Sequence, residues 1–166
     1  MNTKRFFQHV FYRRATMRRL FPSVALDAIE QAIHTAEARH LGQIRLVIEA
    51  ALPLPALLVE QSSRARALDV FAQLRVWDTE HNNGVLIYLL LADRKVEIVA
   101  DRGIHAKLGD ATWETVCRAM EHEFRNGHFE QGALVGVQQV ADYMSTHYPQ
   151  VGEERNELPD RPVLMS

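Results

Sequence analysis

Seven consecutive apolar positions, 85–91, stand between Asn83-Gly84 and the short turn Ala92-Asp93-Arg94-Lys95. The run is too short for a typical helix and rich in β-formers, so it predicts a strand covered on both faces, central to a sheet. Beyond the turn Val96, Ile98 and Ala100 alternate with Glu97, Val99 and Asp101, which predicts a second strand and, with the short connection, a β-hairpin. Upstream, Ile44, Leu46 and Ile48 alternate with Arg45, Val47 and Glu49, a strand ended by Leu52-Pro53-Leu54-Pro55 because neither proline can donate to a ladder. Ser62 or Ser63 then caps a helix that turns Ala65, Leu68, Phe71, Ala72 and Leu74 toward the sheet. Strand, crossover helix and strand make a right-handed βαβ unit, so the strand at 44–50 runs parallel to the central one.

Helical spacing occupies the rest of the chain. Residues 1–21 place Phe6, Phe7, Val10 and Phe11 on one broad face among Lys4, Arg5, Arg13, Arg14, Arg18 and Arg19, with no acidic residue, which predicts a basic amphipathic helix. Ser23 is the expected N-cap of a helix from Val24 to about His40. After Gly103 a loop leads to Asp110, the expected cap of a helix bearing Trp113, Val116, Cys117, Met120 and Phe124 and stopped by Asn126-Gly127. A last helix spans about 129–147, and the polar, proline-bearing stretch 149–166 reads as a flexible tail. The domain proper is therefore 22–148.

Composition narrows the class. A chain of 166 residues with 47% hydrophobic and 24% charged content suits one globular domain, and that length buries about 70% of the unfolded surface without needing a disulfide or structural zinc. The single Cys117 permits neither. A net charge of −2 disfavours nucleic acid as a partner. With no leader pattern at the N-terminus and no apolar run long enough to span a bilayer, the expected location is cytoplasmic, peripheral at the membrane if the basic segment attaches to it.

The hairpin brings its two outer ends to one sheet edge, so Asp78, Glu80, His81, Asn82 and Asn83 should face Asp101, Arg102, Gly103 and His105. Asp78, Asp101 and Asp110, with Asn83 or Asn82, are hard oxygen ligands suited to Ca²⁺ or Mg²⁺. Asp101, Arg102 and His105 are the candidate catalytic groups, with His81 or His105 as acid or base and Arg102 holding an anion by a two-pronged contact. The plain alternatives are a turn at Asn83-Gly84, a helix cap at Asp110 and a surface ion pair at Asp101-Arg102.

The motifs Asn83-Gly84-Val85-Leu86, Asp93-Arg94-Lys95-Val96, Arg102-Gly103-Ile104 with Asp110 downstream, and Phe124-Arg125-x-Gly127-x-Phe129-x-x-Gly132 resemble the TPM domain family, of the thylakoid lumen and photosystem II repair type. The resemblance covers most of residues 23–148. It implies a three-layer α/β/α domain with a mixed sheet between helices, and the family connection to phosphatase activity and to calcium at the sheet edge. The family's Gly-Tyr-Gly-Leu-Glu reads here as Asp101-Arg102-Gly103-Ile104-His105, which exchanges a carboxylate for an imidazole and adds a cation. Two functions follow as expectations. One is a module binding a protein partner or an anionic membrane surface through the sheet edge or the basic N-terminus; the other is a phosphatase-like hydrolase dependent on Ca²⁺ or Mg²⁺. The replaced glutamate and the absence of a nucleophile motif favour the module.

Overall fold

In a computed structural model, residues 3–12, 14–152 and 156–166 are described; Arg13 of the basic segment and 153–155 of the C-terminal stretch lie outside the described residues. The central run forms β2 (Gly84–Leu90), every residue of it buried. It pairs in parallel with β1 (Gln43–Glu49), Ile44 opposite Val85, and antiparallel with β3 (Lys95–Ala100), Ile87 opposite Ile98. The crossover is α5 (Ser63–Gln73), whose Ser62 cap accepts from the Ala65 N–H. The βαβ unit and the hairpin are as the pattern predicts.

Helices cover both faces, because the strands bury alternate residues on each side. Ile44, Leu46, Ile48, Val85, Ile87 and Leu89 pack against α3 (Ser23–Glu37), α7 (Asp110–Arg125) and α8 (Phe129–His147). Val47, Leu86, Tyr88, Leu90 and Val99 pack against α5 and a short α4 (Leu54–Leu58) that starts after Pro53. The outer edge of β3 is blocked by side chains: Arg64 donates to the Ile98 carbonyl and Glu121 accepts from the Val96 N–H. Such blocking keeps an edge strand from pairing with another chain.

Several expectations are corrected. The basic segment is two helices, α1 (Thr3–Val10) and α2 (Arg14–Leu20). Ser23 is already helical, and the cap position of α3 is Pro22, with no side-chain bond. The stretch after Asp101 is a helix, α6 (Arg102–Leu108), and Asp110 is the first residue of α7 behind Gly109, not its cap. In α5 the buried residues are Ala67 and Val70, while Leu68 and Ala72 are exposed; the helix is turned so that Arg66 reaches Glu49. The C-terminal stretch is not a free tail: β4 (Val163–Met165) pairs in parallel with β1, Val47 opposite Val163. The open edge of β1 offers it hydrogen bonds, and Gln43 Oε1 accepts from the N–H groups of Glu157 and Leu158, each at 2.8 Å.

Candidate functional site

The hairpin's outer ends meet as expected. The Asn82 carbonyl accepts from the N–H groups of Gly103 and Ile104, at 3.0 and 3.3 Å. Only a glycine permits this approach, since a Cβ on residue 103 would lie 2.5 Å from that oxygen. Asp101 Oδ1 accepts from the Arg102 N–H at 2.7 Å and so caps α6, and Arg102 Nε donates to Asn82 Oδ1 at 3.3 Å. Asn83 is fully buried; its side chain donates to the Leu41 carbonyl at 3.0 Å and braces the edge against the chain entering β1. Asn83 Oδ1 and Asp101 Oδ2 are buried without a partner among the described residues.

The other candidates do not join them. Asp78 is exposed on the connection before β2. The Asp110 carboxylate is 79% exposed, 3.9 Å from His105 Nε2, and lines an open groove beside β3 with Trp113 and Glu114. His105 is half-exposed on α6, where its carbonyl accepts from the Gly109 N–H at 2.8 Å. Among the described residues no three His, Cys, Asp or Glu side chains come together in a way that could hold a metal ion. Ca²⁺ takes six to eight oxygen ligands and is usually held by several carboxylates. Here, among the described residues, the bend offers the Asp101 carboxylate, one oxygen of which is committed to a helix cap. The set Asp78, Asn83, Asp101 and Asp110 does not fit a Ca²⁺ or Mg²⁺ centre.

The same edge contains a buried imidazole. His40 is 1% exposed, its Nδ1 donates to the Gly42 carbonyl at 3.1 Å, and its Nε2 has no partner among the described residues. Burial above all, with the Arg39 charge adding, pulls its pKa down to about 4 despite the Gly42 bond. Between pH 6.5 and about 4 the unfolded chain therefore binds a proton that the folded one refuses. The stability gained from a neutral His40 is complete above pH 6.5 and drains away as pH falls through that window. His40→Asn, which retains a donor for Gly42, should flatten the fall in chemical-denaturation stability over this range. An unchanged slope would mean that His40 is not its source.

At the opposite end of the sheet α1 is latched to the turn of the hairpin, a junction with no signature in the sequence. The Leu52 N–H donates to His9 Nδ1 at 3.0 Å, so the ring proton resides on Nε2 and is donated to Asp93 Oδ1 at 2.7 Å. Arg5 grips the same carboxylate, with Nη2 at 2.7 Å. Burial pushes the Asp93 pKa up, but the hydrogen bonds from Arg5 and His9, with the charge of Arg5, outweigh it and the net shift is downward. With Arg5 and His9 facing in, the other side of α1 faces out: Phe7, Val10 and the following Phe11 are 57%, 50% and 72% exposed. The rings of Phe7 and Phe11 stack with centroids 6.1 Å apart. Lys4, Arg14, Arg18 and Arg19 are exposed on the same two helices.

Among the described residues no helix is long and apolar enough to cross a membrane. No curated protein matches the chain. In fold it is similar to the BA42 protein from the psychrophilic bacterium Bizionia argentinensis, solved by NMR, with 29% sequence identity, a TM-score of 0.74 and coverage of 87% of this chain and 94% of that one. It is also similar in fold to the N-terminal domain of a protein from P. gingivalis, at 19% identity and a TM-score of 0.63, over 81% of this chain and 83% of that one. The TPM domain profile matches residues 18–143. That span holds β1 to β3, α3 to α7, most of α8 and the Asn82–Gly103 junction, and the chain belongs to the TPM domain family.

Proposed function

We propose that this TPM-domain chain is a binding module that docks on an anionic membrane surface through its N-terminal helices. The observation that carries the reading is the exposed Phe7, Val10 and Phe11 stripe on a helix whose other face is latched to Asp93. A helix with apolar residues on one side and basic residues around them lies in the interfacial plane of a bilayer, the rings entering the acyl boundary and the cations near the headgroups. Each basic residue at such a surface contributes about 1 kcal/mol. A divalent-metal hydrolase is less well supported, because the acidic candidates do not converge.

The test is co-sedimentation with phosphatidylcholine vesicles that contain or lack phosphatidylglycerol. Binding should require the anionic lipid and weaken as salt shortens the Debye length toward about 3 Å. Phe7→Ser with Phe11→Ser should lower partitioning about tenfold or more, since full burial of each ring is worth about 1.5–3 kcal/mol, and should leave the melting temperature nearly unchanged. Equal binding to neutral and anionic vesicles, or full binding by the double variant, would exclude this reading.

A further inference from the structure

A cavity of about 540 Å³ lies where α1 and α2 cross the end of β2, closed on its far side by the α7–α8 junction. Ligand pockets run from about 300 to 1,000 Å³, and in open α/β sheets they form outside the carboxyl ends of the parallel strands, which is where β2 delivers this one. Its floor is apolar, built from Leu20, Phe124 and Phe129 with the last residues of β2. Its rim is cationic: Arg94, Lys95 and Arg125 line it, against the single carboxylate of Glu121. Glu121 is already engaged, accepting from the Val96 N–H at 3.3 Å and lying 4.0 Å from Arg125. Arg94 and Lys95 form no ion pair with the described residues.

We infer that this cavity is a binding site for an amphiphilic monoanion, a carboxylate carried on an apolar chain. The chain would lie on Leu20, Phe124 and Phe129, and the carboxylate would meet the Arg94, Lys95 and Arg125 cations, a charge-assisted contact. Tyr12 lines the same wall; burial raises its pKa although the charges of Arg94 and Arg19 pull the other way, so its hydroxyl stays a donor. Arg94 holds a left-handed backbone, φ 54°, directly after the latched Asp93. A non-glycine residue in that region is uncommon and is retained where the surroundings over-determine it. The latch thus holds Arg94 at the mouth of the cavity. Inorganic phosphate would leave the apolar floor unused, and an alkylammonium would meet the wrong charge. The site is separate from the outward face of α1, and does not depend on vesicle binding.

The experiment is a titration of the ¹⁵N-labelled chain with decanoate, beside decylammonium, acetate and inorganic phosphate. Decanoate should bind saturably, one per chain, shifting amides of Leu20, Ala92 and Phe129, with the three controls at least about tenfold weaker. Arg94→Gln with Arg125→Gln, both at exposed positions, should weaken decanoate about tenfold or more at unchanged melting temperature. Thr16→Trp, which fills the cavity, should abolish binding. Should Thr16→Trp prove unstable, the exposed double variant decides alone. Absence of saturable decanoate binding, equal affinity for decylammonium or acetate, full binding by the double variant, or shifts confined to Phe7, Val10 and Phe11 would each overturn the inference.

Discussion

Arg66→Ala should cost about 3–5 kcal/mol of folding stability, the range for removing one partner of a buried ion pair. For a chain of this size that is a fall of roughly 6–20 °C in Tm. Glu49 is 2% exposed at the end of β1, its two oxygens accepting from Arg66 Nε and Nη2 at 2.9 and 2.8 Å and from the Tyr88 hydroxyl at 2.5 Å. Burial first, then the Glu49 carboxylate, pushes the Tyr88 hydroxyl far above its ordinary range, so it remains a donor. Without the guanidinium a charged carboxylate is left between the sheet and α5 with one hydroxyl for company. The penalty should come from the unpaired charge rather than from lost attraction, and a second variant checks this. Arg66→Met with Glu49→Met should recover most of the stability, since apolar replacement of both partners is often neutral. The residual deficit, about 1–3 kcal/mol from the orphaned Tyr88 hydroxyl, should vanish on adding Tyr88→Phe. Thermal and urea melts read all three, and a loss below about 1 kcal/mol for Arg66→Ala would mean that Glu49 is not sealed from water.

Gly84→Ala should be nearly as damaging although it adds one methyl group. A Cβ at residue 84 would lie 1.9 Å from the Val76 carbonyl oxygen and 3.0 Å from its carbon, a clash with backbone rather than with a movable side chain. Val76 cannot easily withdraw: it is fully buried, its N–H donates to the Phe71 carbonyl, and the connection on either side is wound tightly through the positive φ of Arg75 and Asn82. Nor can Gly84 move outward, because it pairs with Gln43 and accepts from the Asp101 N–H at 2.8 Å. The cost should reach roughly 3 kcal/mol or more, the upper end for overpacking a close-packed interior. The damage should spread to the bend, with faster hydrogen exchange at the amides of Asp101 and Gly103, which bond to Gly84 and Asn82. A variant that melts with the unmutated chain and retains that protection would refute the account.

Much of this architecture was legible from residue order, because the apolar periods of β1, β2, β3, α7 and α8 report local conformation directly. The hairpin also made the meeting of Asn82 with Arg102 and Gly103 legible, since antiparallel pairing alone brings those ends together. Pattern does not record which way a polar residue faces once elements pack. Asp78 and Asp110 are of the right type and close in sequence to that bend, yet the loop before β2 and the start of α7 turn them to solvent. Short elements leave too little period to read: α6 begins on Arg102-Gly103, α4 follows Pro53 and carries Pro55 in its first turn, and β4 has three residues.

Residue order thus determined β1 to β3, their directions and the long helices that cover them, all properties of neighbours along the chain. Tertiary structure alone decided that Glu49, on the polar side of the β1 alternation, is a buried charge, because α5 rotates to bring Arg66 over it. It alone decided that His9 and Arg5 latch to Asp93, 84 and 88 residues away, and so which face of α1 is left to solvent. The rim of Arg94, Lys95 and Arg125 has the same origin, a hairpin turn and a helix end brought together. The physical reason is common to all three: hydrophobic periodicity specifies what is buried without direction, whereas a hydrogen bond or ion pair needs a partner at one distance and angle, which only the packed elements supply.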